Sequence, residues 1–260
     1  MKDLKSVKLF LLDMDGTFYL GNQLIDGSLD FIRRVRETGR DFLFLTNNSS
    51  HNAAYYVEKL ARMGLNIDCS RVMTSGEATC EKLRELHPGK RAFVLGNEFL
   101  RQEFREAGIE IDPENPEIVV IGFDTTLDYA KMRAVCDFVR AGLPYIATHP
   151  DFNCPTETGF MPDIGAIMAF IEASTGRRPD LVVGKPNSGI VEAALRRTGL
   201  KAEELAMVGD RLYTDIETGL RSGMTSILVM SGETTEEMLA ASDTVPDLKF
   251  GRLADMIELL

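Results

Sequence analysis

Two carboxylates one residue apart, Asp13 and Asp15, follow the apolar run Leu9-Phe10-Leu11-Leu12 and precede Gly16-Thr17. Carboxylates so placed can attack, exchange protons or hold a hard cation. The run is too short for a helix and too uniformly apolar for a half-exposed strand, so it reads as a central parallel strand covered on both faces. In open α/β sheets the ligand crevice lies beyond the carboxyl ends of the strands, where Asp13 falls. Asp15-Gly16 also suits an ordinary tight turn, and the pair alone leaves both readings open. Complementary groups follow three later strand-like runs. Thr46-Asn47-Asn48 comes after Asp41 to Leu45, and Lys185 after Leu181 to Val183. Asp210 follows Leu205 to Val208, with Asp215 five residues further on.

Each of these groups also has a plain reading. Thr46 to Ser50 would serve as a polar loop before a helix from about Asn52 to Met63. Lys185 would serve as an exposed turn lysine, and Asp215 as an acid at the positive end of a helix. Gly184-Lys185-Pro186 is no Walker A loop, because proline follows the lysine and the upstream glycine spacing is missing. If Asp13, Asp15 and Asp210 gather at one crevice they repel one another, so a hard divalent cation is required. Oxygen-only ligands suit a hard ion such as Mg²⁺, with Asp13 and Asp210 as side-chain ligands.

The elements that must position these groups alternate strand and helix. A short hairpin is expected around Gly21-Asn22, and a helix over Ser28 to Thr38 with Ser28 as N-cap. A strand is expected over Ile67 to Thr74, with Ser75 as N-cap of the next helix. The pattern then restarts. Strands are expected over Arg91 to Leu95, Glu117 to Gly122 and Pro144 to Ala147, with helices over Glu98 to Ala107 and Tyr129 to Arg140. This predicts an inserted α/β unit of about 100 residues, a size that suits a domain. The expected division is a discontinuous core, 1–79 and 181–260, and an insert, 80–180. The fold class is α/β: a doubly wound parallel-sheet core with an inserted smaller α/β cap. The stretch from His149 to Asp163, with Asp151, Phe152, Phe160 and Met161, reads either as a long surface loop or as a recognition segment.

Composition narrows the classes. The chain has 260 residues with 44% apolar content, ample for buried cores. A net charge of −11 argues against a nucleic-acid binder, which needs a basic surface. No apolar run approaches membrane-spanning length and no signal-peptide core opens the sequence, so a cytoplasmic protein away from membranes is expected. Cys69, Cys80, Cys136 and Cys154 show no paired spacing, which favours reduced thiols over a disulfide framework or zinc site. A homo-oligomer is compatible with the sequence.

Asp-x-Asp-Gly-Thr, Thr-Asn-Asn, Gly-Lys-Pro and Gly-Asp-x-x-x-x-Asp, in that order, resemble the four motifs of the haloacid dehalogenase superfamily. The stretch His149-Pro150-Asp151 to Gly165 resembles the cap signature of its NagD-like, 4-nitrophenylphosphatase-type branch. Related caps commonly carry Asn where His149 stands and Gly where Asp163 stands. The resemblance implies a phosphatase in which Asp13 is the nucleophile and Asp15 the acid and base, with the Asp15 backbone carbonyl on Mg²⁺ and Asp215 supporting the metal. It also implies phosphate contacts from Thr46, Asn47, Asn48 and Lys185. Substrate choice would fall to the cap, through His149, Asp151, Phe152, Phe160, Met161 and Asp163, and the partner would be a small phosphorylated metabolite. A phosphotransferase or mutase using the same aspartyl-phosphate, or a phosphometabolite sensor without turnover, stands as the alternative.

Overall fold

The computed structural model describes residues 4–156 and 159–260. β1 (Leu9–Leu12) is buried at every position, as a doubly covered strand should be. The hairpin β2 (Tyr19–Leu20) and β3 (Gln23–Leu24) follows at once. Then come α1 (Ser28–Glu37), β4 (Asp41–Thr46), α2 (Ala53–Arg62), β5 (Val72–Thr74) and α3 (Ser75–Leu86). A second alternating series comprises β6 (Ala92–Leu95), α4 (Glu98–Glu106), β7 (Ile118–Ile121), α5 (Tyr129–Arg140) and β8 (Tyr145–Ala147). The hairpin β9 (Asn153–Thr156) and β10 (Gly159–Pro162), α6 (Ile164–Thr175) and β11 (Leu181–Val182) complete it. The chain closes with α7 (Ser188–Thr198), β12 (Leu205–Gly209), α8 (Glu217–Arg221), β13 (Thr225–Val229), α9 (Glu236–Ala240) and β14 (Leu248–Phe250).

By packing, the chain forms two units. The first comprises Met1–Thr46, Ala53–Met73 and Val191–Leu260, and the second Asn47–Asn52 and Thr74–Ile190. The first carries a six-stranded sheet in the order β14-β13-β12-β1-β4-β5. The pairs from β14 through β4 are parallel, with Leu12 opposite both Val208 and Phe44. Strand order reverses at β1, the switch point at which α/β sheets open a crevice. Alternation along the strands separates two faces. Phe10, Leu12, Phe44, Val208 and Ile227 share one core with Phe31 and Val35 of α1 and Leu60 of α2. Leu228 points the other way, to Leu212 and Ile216. The second unit holds an all-parallel four-stranded sheet, β11-β8-β7-β6, whose core includes Val119, Ile121, Val135, Tyr145, Ile164 and Ile171.

Three local expectations are corrected. The strand expected over Ile67 to Thr74 is confined to Val72–Thr74, because Cys69–Arg71 forms a 3-10 turn capped by Asp68. Neither serine caps its helix: the caps are Gly27 and Thr74, while the Ser28 hydroxyl donates to Phe18 O at 2.9 Å and that of Ser75 to Asn47 O. The stretch from His149 to Asp163 is no plain loop, since it contains the antiparallel β9–β10 pair with Met161 opposite Cys154. Glu157 and Thr158 of that stretch lie outside the described residues. No helix among the described residues is long and apolar enough to cross a membrane, and no cysteine pair forms a disulfide.

Candidate active site

β1 and β12 run side by side, and Asp13 N–H donates to Val208 O at 2.9 Å. That register places Asp13 and Asp210 beyond neighbouring strand ends. Asp13, Asp210 and Asp215 each bring a carboxylate oxygen within 4.8 Å of the others. Asp210 and Asp215 are buried. Asp215 lies in a π-helical turn, Leu212–Ile216, and its Oδ2 accepts the Arg211 N–H at 3.2 Å, which points its carboxylate back towards the strand end. Burial pushes the Asp210 pKa up to about 8, and the charges of Asp13 and Asp215 add to that rise.

The segment after β13 holds Asp210. Glu233 N–H donates to Asp210 Oδ2 at 2.7 Å, the Thr234 hydroxyl donates to Asp210 O at 2.5 Å, and Ser231 donates to Gly16 O at 2.8 Å. Gly16, at φ 82°, and Gly232 approach so closely that a Cβ on either would collide with the Asp210 carboxylate. Asp210 Oδ1, by contrast, is buried with no hydrogen-bond partner among the described residues. A buried carboxylate oxygen left unpaired beside two like charges is costly unless a cation meets it. The oxygen-only donor set therefore fits a hard divalent cation.

Asp15 stays exposed in the turn that leads to β2, where Gly16 N–H donates to Tyr19 O at 2.8 Å. Partial burial raises its pKa above the ordinary carboxylate value, while Lys59 and Arg211 pull it back. Lys59 reaches this place from α2, its Nζ 3.9 Å from the centre of the Tyr19 ring. Arg211 is ion-paired with Glu233 at 2.9 Å; burial opposes its charge, but Asp13 and Asp210 outweigh burial and hold it more firmly protonated. Thr46, buried, ends β4 beside β1. Lys59, Arg211 and the Gly232–Thr234 segment are not among the residues expected from the sequence. The strand-end rule that singled out Asp13 and Asp210 points equally to Ser231-Gly232-Glu233 after β13, but no charged pair draws attention there.

In the second unit Asn47 and Lys185 exchange hydrogen bonds: Lys185 N–H donates to Asn47 Oδ1 at 2.8 Å, and Asn47 Nδ2 to Lys185 O at 2.9 Å. Asn47 Nδ2 also lies 3.2 Å from Asp151 Oδ2. Asn48 Oδ1 turns the chain by accepting from Ser50 N–H at 2.8 Å. Lys185 is 2% exposed. The residues expected to choose the substrate divide sharply. Phe152 and Phe160 are 62% and 72% exposed and Met161 is 37% exposed. His149 and Asp163 are buried and pair with each other, Nε2 to Oδ1, at 3.1 Å.

Comparison with known proteins identifies the family. Residues 10–110 match the haloacid dehalogenase-like hydrolase family, and residues 182–256 a HAD-hydrolase-like family. A 4-nitrophenylphosphatase from Thermotoga maritima superposes with a TM-score of 0.97 at 48% identity, covering 99% of both chains. NagD from Escherichia coli K-12 superposes with a TM-score of 0.89 at 32% identity, over 96% of this chain and 98% of that one. An acid sugar phosphatase of Staphylococcus aureus is 37% identical over 98% of each chain. The chain belongs to the haloacid dehalogenase-like hydrolases, in their NagD-like branch of phosphatases.

Proposed function

We propose that the chain is a Mg²⁺-dependent phosphomonoesterase that hydrolyses a small phosphorylated metabolite through an aspartyl-phosphate on Asp13. The observation that carries this reading is the unpaired, buried Asp210 Oδ1 within the Asp13, Asp210 and Asp215 cluster. Asp13 and Asp210 would hold Mg²⁺ by their side chains and Asp15 by its backbone carbonyl, with Asp215 in support. When bound, the ion offsets the crowded negative charge and draws phosphoryl oxygens to the site.

The chain's own groups do the rest. The Asp13 carboxylate attacks phosphorus, and its carboxylate later leaves when water attacks the same atom. Asp15 gives its proton to the departing ester oxygen and then takes one from that water. Its raised pKa supports the first role, and its solvent access the second. Thr46, Asn47, Asn48 and Lys185 hold the phosphoryl oxygens, over which charge redistributes in the transition state. Phe152, Phe160 and Met161, apolar and exposed, together with Asp151, meet the leaving group. Release of phosphate from 4-nitrophenyl phosphate, tested with chelator and with restored Mg²⁺, checks the reaction. A panel of sugar phosphates, nucleotides and pyridoxal phosphate then names the preferred ester. Full activity after stringent chelation contradicts the reading.

A further inference from the structure

His149 has no exposed surface and Asp163 keeps only 3%. Groups so enclosed do not touch a dissolved ester, so they act on specificity or rate only through their neighbours. Both side chains are held by hydrogen bonds on every side. Asp163 Oδ1 accepts the Ile164 N–H at 2.6 Å, capping α6, and an ionised carboxylate only accepts. His149 Nε2 therefore carries a proton and donates to it. At Nδ1 the ring meets the Thr148 hydroxyl at 3.0 Å, where a ring whose one proton sits on Nε2 accepts. With its proton so directed, Thr148 Oγ1 receives the Ser49 hydroxyl at 3.0 Å, and Ser49 Oγ accepts the Phe123 N–H at 2.9 Å.

The chain runs unbroken from Phe123 through Ser49, Thr148 and His149 to Asp163. Ser75, 3.4 Å from Nδ1, directs its proton to Asn47 O instead. Ligating atoms of His149, Asp151 and Asp163 lie within 4.8 Å of one another, but the pair at its centre satisfies itself. The same chain reaches the residues proposed to hold phosphate. Ser49 lies two residues beyond Asn47, and Thr148 O accepts the Gly184 N–H at 2.7 Å, one residue before Lys185.

We propose that His149 is a positioning residue: by accepting from Thr148 at Nδ1 while anchored to Asp163 at Nε2, it fixes the Asn47–Asn52 loop and the Gly184–Lys185 turn. It sets the grip on phosphate without touching substrate. This rests on the reading of Asn47 and Lys185 as phosphate-binding groups.

The test is competitive inhibition of 4-nitrophenyl phosphate hydrolysis by inorganic phosphate, with kcat/KM for three esters of different size, on the Mg²⁺-loaded full chain. In His149→Gln the amide nitrogen reaches towards Asp163 but no acceptor stands at Nδ1; in His149→Asn the amide oxygen takes the Nδ1 place. We expect His149→Gln and Thr148→Val to raise the inhibition constant about tenfold, and to lower kcat/KM by the same factor on every ester. His149→Asn should lose only about a third as much. If His149→Gln fails to fold, Thr148→Val carries the test. Unchanged phosphate inhibition in both variants, with lowered thermal stability, would reduce the network to a structural role and overturn the proposal. Losses that differ among esters would overturn it in favour of direct recognition. Lys185→Ala is run beside them. If it leaves phosphate inhibition intact, the reading beneath fails and the proposal with it; if it weakens inhibition while Thr148→Val does not, the proposal alone fails.

Discussion

The acidic cluster of the first unit and the hydroxyl chain of the second are both polar and largely buried, yet they are built oppositely. Around His149 every donor meets an acceptor, and the pattern closes on itself without an outside partner. Around Asp210 three carboxylates crowd together and one oxygen is left unmet. A buried network of the first kind holds backbone in place. One of the second kind is unfavourable alone and becomes favourable when a cation binds. On the proposed reading, the contrast separates a part that positions from a part that reacts.

The largest effect that would break this contrast is at Asp13. Asp13→Asn is expected to lower kcat on the order of 10⁴-fold or more, since the amide is a poor nucleophile of similar size. Its thermal stability should hold or rise, because one of three repelling charges is gone, by about 1 kcal/mol at most. Near wild-type turnover in pure Asp13→Asn would dismiss the assigned nucleophile. Gly232→Ala comes next: the added methyl displaces the Asp210 carboxylate, so kcat/KM should fall about 10²-fold, as for a misplacement of catalytic groups by about an ångström. A kinetic assay that finds this variant unimpaired would remove the Ser231–Thr234 segment from the site.

Glu103 is a carboxylic acid of the second unit outside the His149 chain. Thr74 donates to its Oε1 at 2.7 Å, its Oε2 has no partner among the described residues, and burial pushes its pKa up to about 8 from 4.5. The native chain thus binds this proton more tightly than the unfolded chain does. The stabilisation is complete below about pH 4.5 and is lost as pH rises through 8. Glu103→Gln keeps a neutral side chain at every pH, so its stability relative to wild type should improve by up to about 3 kcal/mol between pH 5 and pH 8. Parallel pH profiles from denaturant unfolding would show that Glu103 is charged throughout. The smallest effect is expected at the exposed aromatics. Phe160→Ala should change the ratio of kcat/KM between bulky and small esters by about threefold to tenfold, leaving phosphate inhibition as it was. An unaltered ratio would take Phe160 out of substrate choice.

The strand ends were legible because parallel, doubly covered strands leave a strong apolar signature, and Asp13, Thr46 and Asp210 follow such runs directly. The β9–β10 hairpin left no such signature: β10 is exposed at every position, so no buried face imposes alternation, and Pro155 interrupts the strand pattern. Ser28 and Ser75 looked like helix caps, but tertiary acceptors, Phe18 O and Asn47 O, hold their hydroxyls. Asp215 was read either as a helix-end acid or as metal support. It accepts a backbone N–H at its helical turn and still joins the acidic cluster, so local spacing could not separate the two. His149 and Asp163 stood out as unusual residues in a recognition stretch, whereas their burial depends on contacts far apart in sequence.

On the proposed reading, Asp210 and its neighbours form an incomplete acidic site that a divalent cation completes. Thermal unfolding of chelator-treated protein, with and without added Mg²⁺, measures this most directly when wild type and Asp210→Asn are compared. Saturable binding to the native state should raise the wild-type Tm by about 2–5 °C, with recovery of phosphatase activity over the same Mg²⁺ range. Ca²⁺, which prefers more ligands at longer distances, should raise Tm while restoring activity poorly. The same Mg²⁺ should leave the Tm of Asp210→Asn unmoved. A wild type that gains neither Tm nor activity from Mg²⁺, or an Asp210→Asn that gains as much, would contradict the account.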